Sequence, residues 1–490
     1  MVNLLNYLDR NVIFALFEPI KRDLMLTDTQ LGWLGSAYIL VFSIAALPLG
    51  VLSDLRSRKT VIAGGVAVWS AFTALGGLVR SFWQLFICRA AVGIGEAAFG
   101  PASSSMVADY FPGKKRPVAM AILSAGIPVG GVLGLLLGGW LESIYGWRVA
   151  FMAVGLPGFL CAVLVTRLVD PTRTETPMTF RSFMAELEIG VRGFIRQFLA
   201  LIVLTTAGLV AAWILTIRYG ADSKADAAVL AAAVAVGLAL TIFRWVRLVR
   251  SDRREETPFT PELESAVDDL VHAGRLVLAT PTLVYVFLAG AAISFGMNGI
   301  VGWGPTYMTR TFTLSSAEGA ALLGKWGLLS GTLGALAGGF IAEYLQKFTD
   351  RARVITVSLG LVIGGPLAIW LMTVRDIDTF IPIFVVAFFC LSWYNGPMAA
   401  VIFDVVPARI GATVSGAYLL FIHLAGDAIA LPLVGFLSDR FGIDRAIFIL
   451  PAASIAGGVV LFFGVRTVLR DIAFVAARTT ATHPVVKAAI

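Results

Sequence analysis

Long apolar runs, broken at short intervals by charged turns, set the pattern of the chain. A helix that crosses a bilayer needs about 20 mostly apolar residues. Runs of that kind lie near 2–24, 29–53, 60–79, 82–110, 115–141 and 147–167, and again near 282–309, 315–343, 352–374, 379–404, 409–437 and 444–467. The pattern is six plus six. Between the two sets, residues 179–198 carry Phe180, Phe183, Met184, Leu187, Val191, Phe194 and Phe198 on one helical stripe, which predicts an interfacial helix. Apolar runs near 197–217 and 225–246 follow, and 258–278 predicts a second surface helix with Leu263, Val267, Leu270 and Val271 on one face. The two central runs predict an extra hairpin; the alternative is a hairpin lying on the inner membrane surface. The domains expected are 1–170, a linker over 171–280, 281–470 and a tail over 471–490.

Composition agrees with this pattern. Hydrophobic residues make up 58% of the 490 positions and charged residues only 14%, against about one quarter charged in soluble domains. Mean hydropathy is +0.86. An all-α polytopic membrane protein follows, because a membrane β-barrel shows short alternating segments instead. The net charge of +7 calls for no nucleic acid, since inward loops of membrane proteins collect Lys and Arg. Cys88, Cys161 and Cys390 all sit in apolar runs, and the histidines are scattered, so neither a disulfide nor a metal site is expected. No cleavable leader is visible; the first apolar run starts at Val2 and Asp9 follows abruptly.

The basic loops orient the chain. Arg56, Arg58 and Lys59; Lys114, Lys115 and Arg116; Lys347, Arg351 and Arg353; and Arg409 fall on one side, ten in all against eight on the other. Arg192 and Arg196 before the central hairpin, and five arginines after it, place both flanks on that same inner side, with both termini cytoplasmic.

The halves repeat each other. "GVLSDLRSRK" (50–59) follows the second span and "GFIAEYLQKF" (339–348) the eighth, so Gly50, Asp54 and Arg58 align with Gly339, Glu343 and Lys347. "GGWLESIYGWR" after the fifth span resembles "VGFLSDRFGID" after the eleventh. Glycine stripes at 126, 130, 134 and 138 and at 324, 327, 331, 334 and 338 predict close helix contacts, on the interface where the halves would rock.

With these residues in view, the chain resembles the major facilitator superfamily. "GVLSDLRSRK" resembles its loop signature after the second helix, and "RAAVGIG" (89–95) its Arg-x-x-x-Gly-x-Gly motif on the fourth. "NYLDR" (6–10) with "RAAVGIGEAAFGP" is similar to the spinster family of lysophospholipid and sphingosine-phosphate transporters; organic-anion symporters carry similar motifs. "GIPVGG" on the fifth span departs from the family's antiporter motif. The resemblance implies the major facilitator fold, alternating access and no cofactor. It also implies a charge relay of Asp54, Arg58, Lys59 and Asp109, with Glu343 and Lys347 opposite, that gates the inner side.

Charge inside a membrane needs a partner or water. Asp9, Arg10, Arg89 and Glu96 are therefore expected in one polar patch, Arg89 and Glu96 lying two turns apart on one helix, with Arg89 as shared counter-charge. The functional reading is a proton switch: an anionic substrate draws the arginine away and a carboxylate takes a proton. The plainer reading is a static ion-pair network. His423 and Asp427, at i and i+4 on the eleventh span, form a second candidate. Tyr7, Asn298, Trp303, Tyr307, Lys325, Trp393, Tyr394 and Asn395 are expected to line an amphipathic cavity, or to anchor the interface. Gly296, Gly299, Gly302, Gly304 and Pro305 are expected to loosen the seventh span, and Gly396–Pro397 to break the tenth.

Enzyme readings fail for want of a Ser-His-Asp order, an HExxH motif or a phosphate-cradling loop, and a Walker motif is also missing. What remains is a monomeric, proton-coupled transporter of an amphipathic or organic anion, with a small-organic-anion symporter or a non-transporting receptor as alternatives.

Overall fold

The computed structural model describes residues 1–55, 57–112, 115–169, 273–407 and 410–482, and scattered helical positions between 199 and 247. The expected central hairpin and surface helices, the tail beyond 482, Arg409 and the side chains of Gly50 and Asp54 lie outside the described residues. Residues Thr176–Ala279 form a compact unit of their own.

The other unit is a helical array. Its first half comprises α1 (Val2–Ala15), α2 (Phe17–Leu24), α3 (Asp28–Leu55), α4 (Arg58–Gly76), α5 (Phe82–Tyr110), α6 (Arg116–Tyr145) and α7 (Trp147–Thr166). The second comprises α8 (Pro281–Phe312), α9 (Ser316–Gln346), α10 (Ala352–Leu371), α11 (Ile377–Leu391), α12 (Pro397–Asp404), α13 (Gly411–Ile422), α14 (Ala428–Phe441), α15 (Ile443–Ala446), α16 (Ile449–Phe463) and α17 (Val468–Thr482). Eleven stretches among the described residues are long and apolar enough to span a membrane. The first span is not among them because it is split. Pro19 offers no N–H to the carbonyl of Ala15, so the helix stops there and restarts at Phe17.

The tenth span breaks near its expected place: α11 ends at Leu391, a 3-10 turn covers Ser392–Tyr394, and Pro397 opens α12. The eleventh holds a feature the apolar pattern does not signal, a π-helical turn at His423–Asp427 between α13 and α14. The seventh span is not loosened. Helix α8 runs unbroken over 32 residues through all its glycines, because those glycines receive neighbours: Gly296 and Gly299 face Leu450, and Gly302 faces Phe14 and Leu431.

The two halves use the same pairings. α1 packs on α6, α3 and α4 on α5, and α4 on α7; in the second half α8 packs on the α13–α14 span, and α9 and α10 on α11. The turns after the fifth and eleventh spans match in detail, since Gly146 and Gly442 both take positive φ, +81° and +79°, which favours glycine. Between the halves, α3 lies along α14 and α6 along α9.

The glycine stripes do not lie where they were expected. Gly126, Gly130, Gly134 and Gly138 admit the backbone of α1 within the first half, and Gly327, Gly331, Gly334 and Gly338 admit Phe384, Phe388, Phe389 and Trp393 within the second. They tighten each bundle; of these stripes only Gly324 meets the opposite half, at Val132 and Leu136.

Candidate functional site

Helix α1 and helix α5 together build the charged patch. Glu96 is fully buried and accepts from Arg10, whose Nε lies 3.1 Å and Nη2 2.8 Å from its Oε2. Arg89 lies within electrostatic reach of both Asp9 and Glu96, but its hydrogen bonds run to backbone. Its Nη1 donates to the Asp9 carbonyl at 3.2 Å and its Nη2 to the Arg10 carbonyl at 3.3 Å. Each carbonyl has a second lone pair beyond the one its helix uses, so Arg89 fastens α5 to the backbone of α1. Thr73 reaches Asp9 Oδ2 at 3.4 Å. Three rings surround the Arg10 guanidinium, with centroids at 4.8 Å for Tyr7, 5.0 Å for Tyr38 and 5.1 Å for Phe42. Tyr38 also lies 5.3 Å from the Arg89 guanidinium.

Two carboxylate oxygens in this patch, Asp9 Oδ1 and Glu96 Oε1, are buried without a hydrogen-bond partner. Buried acceptors are nearly always satisfied, so these two oxygens stand out.

Across the interface, His423 Nδ1 lies 2.6 Å from Asp427 Oδ2, and Ser294 donates to Asp427 Oδ1. Asp427 is buried and His423 partly open. The His423 ring stands edge-on to Phe42, 6.0 Å between centroids. The two candidate sites foreseen separately therefore face each other through one phenyl ring. Tyr394 is half-buried beside them and within electrostatic reach of Asp427.

The remaining candidates stand elsewhere. Trp303 and Tyr307 are buried; Trp303 Nε1 donates to the Leu431 carbonyl at 3.0 Å, and Tyr307 flanks an apolar cavity of about 20 Å3. Trp393 packs over Gly338 and Gly360, while Asn395 is exposed and donates back to the Ser392 carbonyl at 3.0 Å. Lys325 is exposed over the Trp326 ring and Asn298 is half-buried.

At one end of the bundle, Arg58 pairs with Asp109. Arg353 pairs with Asp404 in the second half, and both pairs join residues 51 apart in sequence. The structural counterpart of Arg58 is thus Arg353, not Lys347. Lys347 and Glu343 are exposed and, among the described residues, enter no ion pair.

The opposite end carries a cluster that the sequence analysis passed over. Arg310 on α8 donates to Glu18 at 2.7 Å and to both oxygens of Asp28 at 2.6 and 2.8 Å. Lys21 and Ser438 complete the shell of Asp28 at 2.5 and 2.6 Å. Asp439 of α14 accepts from the backbone N–H groups of Asp28 and Thr29 at 2.8 and 2.9 Å and from the Thr29 hydroxyl at 2.6 Å. Thr27 accepts from Gln30 N–H in turn. The first turn of α3 is capped partly by its own Thr27 and partly by the other half of the protein. Among the described residues, every hydrogen bond that joins the halves lies at this end. Beneath it Phe14, Phe17, Leu31, Leu34, Trp303 and Leu431 form a buried apolar plug.

The sequence model of the Major Facilitator Superfamily matches residues 1–426. The chain belongs to that superfamily. It is a multi-pass membrane protein with the two-bundle fold of the family. The chain is similar to Protein spinster of Drosophila melanogaster, 24% identical over 89% of this chain and 60% of that protein, so it spans less than two thirds of that relative's length. It is similar also to the hexuronate transporter of Bacillus subtilis, 23% identical over 99% of this chain and 96% of that one. Among solved structures it resembles a bacterial homolog of the human lysosomal transporter Spinster, in an inward-facing and occupied conformation. The TM-score is 0.70 at 22% identity, covering 96% of both chains.

Proposed function

We propose that the chain is a proton-coupled secondary transporter that moves an amphipathic, lysolipid-like anion by alternating access. The observation that carries the reading is the buried Arg10–Glu96 pair with Asp9 beside it, two carboxylates each holding one unpartnered oxygen. Ionisable groups at this depth are expensive and mark ion or substrate paths. When an anion engages Arg10, Glu96 loses the charge that compensates it and takes a proton; release of the anion returns Arg10 to Glu96 and frees the proton. Asp9 and Glu96 share one electrostatic field. Arg89 does not leave its place, because its bonds run to backbone, and it keeps α1 registered on α5 while Arg10 changes partner.

The basic Arg58 end faces the cytoplasm of a bacterial inner membrane. The conformation is then inward-facing, with Arg310 closing the outer mouth. The similarity to spinster proteins favours a single-chain lipid anion. The full-length similarity to a hexuronate transporter supports the alternative, a small organic acid taken up with protons.

The test is uptake into proteoliposomes with a lysolipid panel and an organic-acid panel, with and without a pH gradient. Asp9→Asn and Glu96→Gln are each expected to abolish gradient-driven accumulation, while exchange at equal pH survives in at least one of them. Normal accumulation in both variants would remove the proton switch from this patch.

A further inference from the structure

Two nitrogen atoms near the Phe42 ring are left without work by the contacts described above. Arg10 spends its Nε and one Nη on Glu96; its Nη1 makes no hydrogen bond among the described residues. The Arg10 side chain is 13% exposed, whereas Glu96 is fully covered, so the uncommitted side of the guanidinium is the open one. On the other half, His423 commits Nδ1 to Asp427 and leaves Nε2 without a partner among the described residues, on a side chain that is 26% exposed. Asp427 is itself held by Ser294, so the imidazole is fixed in tautomer and direction from behind. Phe42 touches both groups, 5.1 Å from the guanidinium and 6.0 Å from the imidazole centroid.

We infer that the anionic head of the substrate is held between Arg10 Nη1 of the first half and His423 Nε2 of the second, across Phe42. This rests on the reading of the Arg10 patch as the substrate site. A neutral imidazole that donates Nδ1–H to Asp427 has only an acceptor at Nε2 and repels an anion; the imidazolium donates from both nitrogens. Binding the head therefore takes up one proton at His423, separately from the proton that Glu96 carries. Asp427 and Ser294 stand behind this imidazole; Tyr394, Tyr418 and Tyr38 lie within electrostatic reach of Asp427, and Arg10, Glu96 and Arg89 act on Tyr38 across the interface. The ligand class is an oxyanion with more than one acceptor oxygen, a phosphate monoester or a carboxylate. Its place between the halves gives a reason for the substrate to draw α1 and the π turn together, since each half supplies one donor.

The test measures equilibrium binding to the full chain in lipid nanodiscs, at equal pH throughout, with dodecyl phosphate and with D-glucuronate as probes. Wild type should bind one of the two, more weakly as pH rises from 6 to 8. His423→Gln, which keeps a donor but cannot take a proton, should bind about tenfold more weakly at pH 6 and lose the pH dependence. His423→Lys, a cation throughout this range, should restore binding without pH dependence, which a merely misfolded site would not do. Preference for dodecyl phosphate assigns the head of a lipid; preference for glucuronate assigns a free acid. Wild-type affinity and pH dependence in His423→Gln, or binding of neither probe to wild type, overturns the inference. Because no gradient is applied, a failure of proton-driven transport in the Glu96 variant leaves this result standing.

Discussion

Arg310 offers the sharpest test of how the closed end is held. The perturbation is Arg310→Met, which keeps bulk and removes three charge-assisted bonds, one to Glu18 and two to Asp28. Breaking a buried ion pair costs about 3–5 kcal/mol. Two facts reduce that figure. The Arg310 side chain is 24% exposed, so water screens part of the interaction. Lys21 also remains 2.5 Å from Asp28 to balance its charge. A shift of about 2 kcal/mol follows, or roughly 30-fold in the ratio of closed to open at this end. It falls on the closed conformation alone, because an open mouth hydrates Asp28 whatever stands at position 310. Spin labels at Met25 and Phe441 read this end, and labels at Val118 and Tyr344 read the other; all four positions are exposed. The expected outcome is a longer distance across the first pair and a shorter one across the second. Arg375→Met is the control: its 3.5 Å bond to Asp444 joins two half-exposed side chains inside one half. Surface pairs of that kind contribute about 0–1 kcal/mol, and no shift is expected. Distance distributions unchanged by Arg310→Met, or changed equally by both variants, would refute the assignment of the clamp.

Three other outcomes are expected. Asp439→Ala removes the cap that one half supplies to the other and should move the same labels in the same direction by about 1 kcal/mol, less than Arg310→Met; thermal stability lost without any movement of the labels would show the cap to be local. Asp404→Asn breaks a pair internal to the second half, so it should lower the melting temperature slightly and leave all label distances alone, and a change in those distances would make it a gate after all. Replacement of 197–247 with a flexible linker should preserve turnover per folded molecule, because the apolar cores 198–217 and 225–243 hold a single ionisable side chain, Asp226, at the edge of the later run; loss of transport in a well-folded variant would overturn that.

Span positions and the twofold repeat were legible because apolar length and charged turns report them directly. Helix α5 runs over 82–110 as the run of apolar residues does. The charged patch was legible too, since an intramembrane Asp, Glu or Arg is rare enough to stand out. What the sequence hid was partnership. Arg10 and Arg89 are both within reach of Glu96 in any packing of two helices, and only the azimuth of α1 decides that Arg10 takes the carboxylate and Arg89 the backbone. Glycine stripes are ambiguous for a similar reason: a small face shows that a helix is approached closely and not by which neighbour. Arg310, Asp28 and Asp439 read as ordinary loop-end charges. The signal that could have found them is the Thr27–Gln30 capping box beside an acid and a base, with an arginine at the end of the seventh span.

The clamp, the plug and the charged site share one line of contact, which limits how the protein can move. Along α3, Asp28 and Thr29 meet Asp439 and Gly435, Gly32 and Gly35 meet Leu431, Tyr38 and Ile39 cluster with Ala428, and Phe42 meets His423. The order is antiparallel and unbroken. Fourteen residues from Asp28 to Phe42 span about 21 Å at 1.5 Å per residue. A rigid rotation that opens the Arg310 end must therefore also alter the Phe42–His423 contact, unless one helix bends. The π turn at His423–Asp427 is the irregular point on that line, and such turns cluster at functional sites. It lies where the second half presents its histidine, so bending there changes the direction of the imidazole while α14 keeps its seat on α3. The site and the gate are then coupled through a single helix pair. Stiffening the turn should slow opening of the mouth and disturb the His423 contact together, and Asp439→Ala should loosen the mouth and weaken binding at His423 together. Variants that change one of the two without the other would show that the line of contact does not carry the coupling.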